Sequence, residues 1–297
     1  MMRGLTAEGR SVADNRGFEE QRSHLWDISY RITGSVADSD DALQEAWLRW
    51  DRLPDGSVQD PGPFLRTMVS RICFDMLGSA RVRREVYVGP WLPEPLVTEG
   101  GPEDRATLDE SVGLAMLTVL QRLTPAERTS FILHDVFAVP FADIAETVGR
   151  TPEGVRQLAT RARRRVREEA PRRSAGRAEH QRAVEAFLAA STSGDFGRLL
   201  KILDPDVVWR SDGGGIANVA RLPVVGHEKT AHFAQRIMRW IDLSPARILR
   251  REVNGAPGLV LTAHTGLTVV LAFAVHNGFI TEIDAVINPE KLRHLHP

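Results

Sequence analysis

The chain has 297 residues, one cysteine (Cys73) and 38 Lys+Arg against 39 Asp+Glu, a formal net charge of −1. That length suggests two or three domains of roughly 100–200 residues each, and the lone Cys excludes a disulfide scaffold or a Cys-rich zinc site and fits a reducing cytosol. No apolar run nears the ~20 residues of a membrane span, the N-terminus lacks an apolar signal-peptide core, and near-neutrality taken at face value argues against a nucleic-acid binder.

In chain order, residues 1–17 are polar and read as a disordered tail. From Phe18 to Glu85 apolar residues recur at helical spacing: Leu25, Ile28 and Ile32; then Ala42, Leu43, Ala46, Trp47 and Trp50; then Leu65, Met68, Val69, Ile72 and Leu77. Asp38 or Ser39 is the expected N-cap of the second of these helices. Leu53–Pro63 reads as a loop from its Pro, Gly and Asp content. Residues 86–107, rich in Pro and Gly, form an extended linker. Helical pattern resumes near Leu108 and runs with breaks to residue 170, and a second linker covers 171–177. Residues 178–297 then offer helices at Glu179–Ser191 and Glu228–Trp240, followed by strands at Ala246–Val253, Gly258–His264, Leu267–His276 and Phe279–Ile287. Asn254-Gly255, Thr265-Gly266 and Asn277-Gly278 mark the hairpin turns between them. Helices followed by an antiparallel meander predict an α+β domain.

The neutral average is a cancellation. Residues 1–60 carry net −5, 61–84 net +4, 85–149 net −8, 150–177 net +7 and 178–297 net +1. The basic residues are 35 Arg to 3 Lys; GC-rich codon usage accounts for that ratio but not for the two clusters. Arginine offers bidentate donors to phosphate and guanine.

The second cluster lies on a helix-turn-helix pattern. A short helix, Phe141–Val148, is followed by Gly149 to turn the chain, Thr151 to cap a second helix, Pro152 at its first position and Glu153 in its first turn. Val155, Leu158, Ala159, Ala162 and Val166 form its apolar stripe, and the arginines lie mostly off it. Such a helix enters a major groove N-terminus first. Arg156, Gln157 and Arg161 are placed for base edges, Arg163, Arg164, Arg165 and Arg167 for phosphates, with Thr160 on the same face. The competing reading is a solvated basic face on an ordinary helical hairpin.

These segments resemble the extracytoplasmic-function (group 4) sigma factors of bacterial RNA polymerase. Asp38–Trp50 (DSDDALQEAWLRW) is similar to the family's polymerase-docking helix, which assigns core polymerase contacts to Asp41, Gln44, Glu45, Trp47, Leu48 and Arg49. Phe64–Glu85 resembles the helix that reads and opens the −10 element, which assigns that role to Arg66, Arg71, Arg81, Arg83 and Arg84. The Leu53–Pro63 loop and the start of the next helix are where the resemblance implies a pocket for an unstacked base, and Arg71 stands where many relatives carry a smaller polar residue. Leu123–Glu168 resembles the domain that reads the −35 element. WLPEPL (Trp91–Leu96), DGGGI (Asp212–Ile216) and NPEKL (Asn288–Leu292) are similar to three signatures of the group with a C-terminal SnoaL-like extension, often called ECF41 and of the SigJ type. Ile216 replaces the usual Lys and Glu290 the usual Asp.

The resemblance implies a multidomain chain: two all-α sigma domains, a sigma-2 helical bundle over 18–85 and a sigma-4 helix-turn-helix domain over 108–170, then an α+β NTF2/SnoaL-like cone over 178–297. It implies a cytoplasmic, non-catalytic initiation factor without cofactor or metal, whose partners are promoter DNA and the β′ clamp and β flap of core RNA polymerase. The cone takes the place of a dedicated anti-sigma factor, touching the sigma region through Trp91, Leu92, Pro93, Glu94 and Pro95, through Asp212, Gly213, Gly214 and Gly215, and through Asn288, Pro289, Glu290, Lys291 and Leu292. A small ligand in the cone is a further possible partner; no membrane partner is expected. Two other readings compete: a ligand-sensing DNA-binding regulator, and a SnoaL-type isomerase or cyclase fused to helical domains. The enzyme reading needs an acid or base facing an apolar cavity, for which Asp212, His264 and Asp284 are the candidates and Trp209 a pocket wall.

Overall fold

The structure is a computed structural model and describes residues 12–54, 56–85, 87–99, 113–169, 176–217, 219–241, 248–263 and 266–295. The first helices are α1 (Val12–Thr33), α2 (Val36–Asp51) and α3 (Pro61–Glu85), followed by strand β1 (Val97–Thr98). Then come α4 (Leu114–Leu120), α5 (Pro125–Phe131), a π-helical turn (Ile132–Val136), α6 (Phe141–Val148) and α7 (Pro152–Glu169). The C-terminal part runs α8 (Arg177–Ser193), α9 (Phe196–Ile202), β2 (Leu203–Asp212), β3 (Val224–Val225), α10 (His227–Ile241), β4 (Ile248–Val253), β5 (Ala256–Thr262), β6 (Thr268–His276) and β7 (Phe279–Val286), and a short 3-10 turn at Arg293–Leu295. Contacts divide the chain into two compact units, Met1–Val82 with Leu123–Arg165, and Arg83–Arg122 with Val166–Pro297.

The first unit is helical. Gly34 turns the chain at φ 72°, and Ser35 caps α2 by accepting the Asp38 amide at 3.1 Å. The cap is therefore Ser35 rather than Asp38 or Ser39: Ser35 is the first extended residue after the turn, and Ser39 is buried, donating to Ser35 O. α1 starts at Val12, inside the segment read as a tail, while residues 1–11 lie outside the described residues. Phe18, Leu25, Ile28, Trp50, Leu65 and Val69 are fully buried and form much of this core. Thr124 and Glu127 make a reciprocal capping box on α5. Gly149 adopts φ 63° between α6 and α7, and Thr151 Oγ1 accepts the Gly154 amide at 3.2 Å, as the helix-turn-helix pattern requires.

The second unit is built on a seven-stranded sheet of order β1-β4-β5-β6-β7-β2-β3. β4 to β7 form the expected meander, and Asn254-Gly255 and Asn277-Gly278 take the paired positive φ values of its tight turns. Thr265 falls outside the described residues. The sequence reading did not include β2, which runs parallel to β7 and extends the sheet, nor β1, which adds part of the linker to its other edge by pairing Val97 with Val253. It also missed α9, capped by Asp195.

The sheet buries both faces. One packs Trp209, Phe273 and Ile283 against Phe187 of α8 and Phe233 of α10. The other carries Val253, Val260, Val270 and Val286, and is covered by Leu92 of the linker, Leu114 of α4 and Leu292 of the C-terminal segment. Side chains alternate along a strand, so residues of β2 and β7 that neighbour the first set fall on the face where the linker lies.

Candidate functional site

The three motif segments meet around one carboxylate. Asp212, at the end of β2, is fully buried. It accepts the Tyr87 hydroxyl at 2.5 Å, the Leu92 amide at 2.8 Å, the Gly214 amide at 3.1 Å and the Lys291 ammonium at 2.7 Å. Lys291 Nζ also donates to Leu92 O. It lies 3.7 Å from the centroid of the Trp91 ring and 5.2 Å from that of Tyr87. The ammonium is thus held by a carboxylate, a carbonyl and two aromatic faces, which together replace its water shell. Asn288 Nδ2 donates to the Tyr87 hydroxyl at 3.0 Å, and its backbone amide donates to Asp212 O at 2.9 Å. Burial, and then the adjoining Asp212 carboxylate, push the Tyr87 hydroxyl pKa well above the usual phenol range.

The glycines of the DGGGI loop are there for space. A Cβ on Gly213 would meet Ala217 O at 2.7 Å, and one on Gly214, at φ +64°, would meet the Asn288 amide oxygen at 2.8 Å. Further along the linker, Asn254 and Leu96 exchange two hydrogen bonds, and His294 contacts Pro95 O at 2.9 Å. Pro93, Glu94 and Pro95 are buried along this path. Pro289 and Glu290 are exposed, and Glu290 pairs with Arg293 at 3.7 Å. Ile216 is 62% exposed and takes no part in the clasp.

The carboxylates weighed for catalysis sit elsewhere than an enzyme needs. Asp284 accepts Arg210 at 2.7 Å and Thr118 of α4 at 3.2 Å, and Glu282 shares the same Arg210 at 2.8 Å. Asp212 and Asp284 both lie on the linker face, opposite the apolar cluster that contains Trp209. Burial pushes the Glu282 carboxyl pKa up, with Arg210 opposing. His264 lies outside the described residues.

The first unit carries the nucleic-acid candidates. On α7 each paired arginine meets a carboxylate of its own unit. Arg156 pairs with Glu153 at 2.8 Å, Arg161 with Glu127 at 3.3 Å, Arg165 with Glu127 at 3.5 Å and Arg163 with Asp135 at 2.6 Å. Glu127 is buried, which raises its pKa, but hydrogen bonds from Thr124 and the two arginines outweigh this and hold it below the ordinary value. Gln157 and Thr160 are exposed on the same helix, Thr160 bonding back to Arg156 O, and Arg164 is also exposed. On α3, Arg71 donates to Glu146 O and Thr147 O, both at 3.1 Å, at the carboxyl end of α6, and Arg66 approaches Asp143 at 3.9 Å. Two of the five −10 candidates therefore contact the first helix of the helix-turn-helix. The side chains of Arg81, Arg83 and Arg84 lie outside the described residues. On α2, Asp41, Gln44, Leu48 and Arg49 are exposed, with Glu45 half-buried and bonded to Arg49 at 2.8 Å. Trp47 is half-buried edge-on against Phe18, and Trp50 is core.

Sequence reasoning missed Tyr87, Thr118, Arg210 and Glu127. One of only two tyrosines, four residues before Trp91, Tyr87 carried no motif to mark it.

Comparison with known proteins gives the same reading. Residues 18–83 match the family model for sigma-70 region 2, and residues 113–166 that for sigma-70 region 4. The chain is 43% identical over 289 residues to the ECF RNA polymerase sigma factor SigJ of Mycobacterium tuberculosis, covering 92% of this chain and 91% of SigJ. It is 35% identical over 275 residues to the probable ECF sigma factor SigI of the same species, covering 91% and 92%. The crystal structure of M. tuberculosis SigJ superimposes with a TM-score of 0.77 at 34% identity in the structural alignment, over 94% of this chain and 98% of that one. Helical sigma domains followed by an NTF2/SnoaL-like sheet domain are the expected fold class, and no helix among the described residues is long and apolar enough to cross a membrane. Sigma factors are initiation factors that bind core RNA polymerase and promoter DNA and are not enzymes. The chain belongs to the extracytoplasmic-function sigma factors of bacterial RNA polymerase.

Proposed function

We propose that this cytoplasmic sigma factor is controlled in cis, and that its C-terminal domain acts by gripping the linker between region 2 and region 4. The Lys291 ammonium carries this reading: it ties the NPEKL segment to the DGGGI carboxylate and to the carbonyl of Leu92 in WLPEPL. Residues 87–98 are covered over most of their length, and β1 is paired into the sheet. A linker so held cannot be paid out as the family's two DNA readers separate to reach their two promoter elements. In the first unit, the contacts of Arg66 and Arg71 with α6 hold these readers together. The clasped form is the low-activity state, and polymerase and promoter select the opened one.

In that opened state, Arg156, Gln157, Thr160, Arg161, Arg163 and Arg164 serve the −35 element, and the α3 arginines serve the −10 element. Asp41, Gln44, Glu45, Trp47, Leu48 and Arg49 present α2 to the β′ clamp. Region 4 meets the β flap, and the cone makes a separate anti-sigma factor unnecessary. Run-off transcription with reconstituted holoenzyme tests the proposal. Lys291→Met and Trp91→Ala raise initiation over the unaltered chain at equal holoenzyme concentration; output unchanged in both overturns it.

A further inference from the structure

Beside the clasp lies a pocket of about 250 Å³ whose walls come from both partners of the clasp. Val88 and Gly89 of the linker form one side, and Ser211, Gly213, residues 215–217 and residues 219–221 form the other. The two walls are in close register: a Cβ on Gly215 would touch Val88 at 3.3 Å, and one on Gly89 would touch the Arg221 backbone at 3.6 Å. Arg221, an exposed residue, is the one charged side chain among the described lining residues. At the buried end is Ser211, 2% exposed, whose oxygen already accepts Trp209 Nε1 at 3.0 Å. Its own O–H has no acceptor among the described residues, so one buried donor remains to be met. Between these ends the apolar side chains are Val88, Ile216, Ala217 and Val219, set in a lining that is polar over most of its accessible surface. The volume is below the roughly 300–1,000 Å³ of pockets that take drug-sized ligands.

We propose that this pocket is an effector site for a small polar carboxylate, its anionic head on Arg221, its far polar end accepting the Ser211 hydroxyl and one edge against Val88 and Val219. The pocket holds no second charged group and no general acid or base, so it binds rather than reacts. Because linker and loop both contribute walls, a ligand that touches both has its full set of contacts only while the linker is clasped. Occupancy therefore favours the clasped state, and by linkage the clasp raises affinity for the ligand by the same factor. This step rests on the clasp reading above, and its test is kept separable from that one.

The test is isothermal titration of the full-length chain with a panel of small carboxylates, from propionate to 4-hydroxybenzoate and 4-hydroxyphenylacetate, with tyramine as the charge-reversed control. At least one carboxylate binds saturably, with one site, at or below millimolar concentration, and tyramine does not. Arg221→Gln weakens that binding about tenfold or more, as expected for loss of a charged hydrogen-bond partner, and Arg221→Lys recovers part of it. Lys291→Met, at a residue that does not line the pocket, weakens it as well. No saturable carboxylate binding, or binding that Arg221→Gln leaves intact, overturns the site. Binding through Arg221 that Lys291→Met leaves unchanged overturns its effector role. Failure of the clasp itself is read separately, as transcription indifferent to Lys291→Met.

Discussion

Replacing Lys291 with Met keeps the length and apolar stem of the side chain and removes the charge at the centre of the clasp. Lys291 and Asp212 are 7% and 0% exposed, so their pairing is screened little by solvent. Breaking one partner of a buried pair costs about 3–5 kcal/mol, because the other charge stays buried. Here Tyr87, Leu92 and Gly214 still donate to Asp212, which places the loss near the lower end. The ammonium contact with the Trp91 ring, worth up to about 2 kcal/mol when desolvated, is lost too. A local opening cheaper by about 3 kcal/mol is more than a hundredfold more frequent. Native-state hydrogen exchange reads this directly at the amides of Leu92, Leu96 and Asn254, which bond Asp212 Oδ2, Asn254 Oδ1 and Leu96 O. Exchange at all three accelerates at least a hundredfold in Lys291→Met, while amides in the α1–α2 core do not change. Arg293→Gln, which removes only the exposed pair with Glu290, has little effect. Exchange at Leu92 within about threefold of the unaltered chain would refute the assignment of Lys291 as the tie.

Further outcomes follow from the same geometry. Gly214→Ala combines a left-handed φ with a clash against Asn288, so it opens the clasp in the same exchange assay while the meander amides stay protected. His180 is buried, and burial, with Arg177 nearby, depresses its pKa to about 4. The unfolded chain then binds the proton first as pH falls, so the second unit loses up to about 3 kcal/mol between pH 6.5 and pH 4. Urea unfolding of His180→Leu, in which that component of the pH dependence disappears, checks it; an unaltered slope contradicts it. The Cys73 thiol is fully buried and pushed up to about 12 by that burial. Alkylation at pH 8 should therefore proceed only as fast as the first unit opens, and rapid labelling of the native chain would contradict the packing.

How much of this was legible depends on the range of the interactions. The helix-turn-helix was, because Gly149, Thr151 and Pro152 each act on backbone within a few residues. The meander was, because Asn-Gly pairs fix its turns locally. β2 was not: its pairing with β7 lies some seventy residues away, its register shifts between Leu203 and Val208, and two consecutive exposed positions, Pro205 and Asp206, break its alternation. The motifs of the clasp were recognised by resemblance, but their chemistry was not, since Asp212 and Lys291 are 79 positions apart and nothing local marks either as a partner. The charge islands were read as DNA-facing, with no sign of their partners within the chain. Arg71, Arg161, Arg163 and Arg165 also meet carbonyls and carboxylates of their own unit, contacts set by tertiary packing rather than by helical periodicity.

The central claim is that the linker must leave the sheet for initiation. β1 pairs with β4 through Val97 and Val253 as Cα partners, a spacing suited to a disulfide, and the one native cysteine is buried. In a Cys73→Ser background, Val97→Cys with Val253→Cys staples the linker to the cone under oxidising conditions and releases it on reduction. Run-off transcription with core polymerase is predicted to be low for the oxidised chain and restored by reductant, with the single-cysteine variants indifferent to both. Equal initiation from the oxidised and reduced staple would contradict the account.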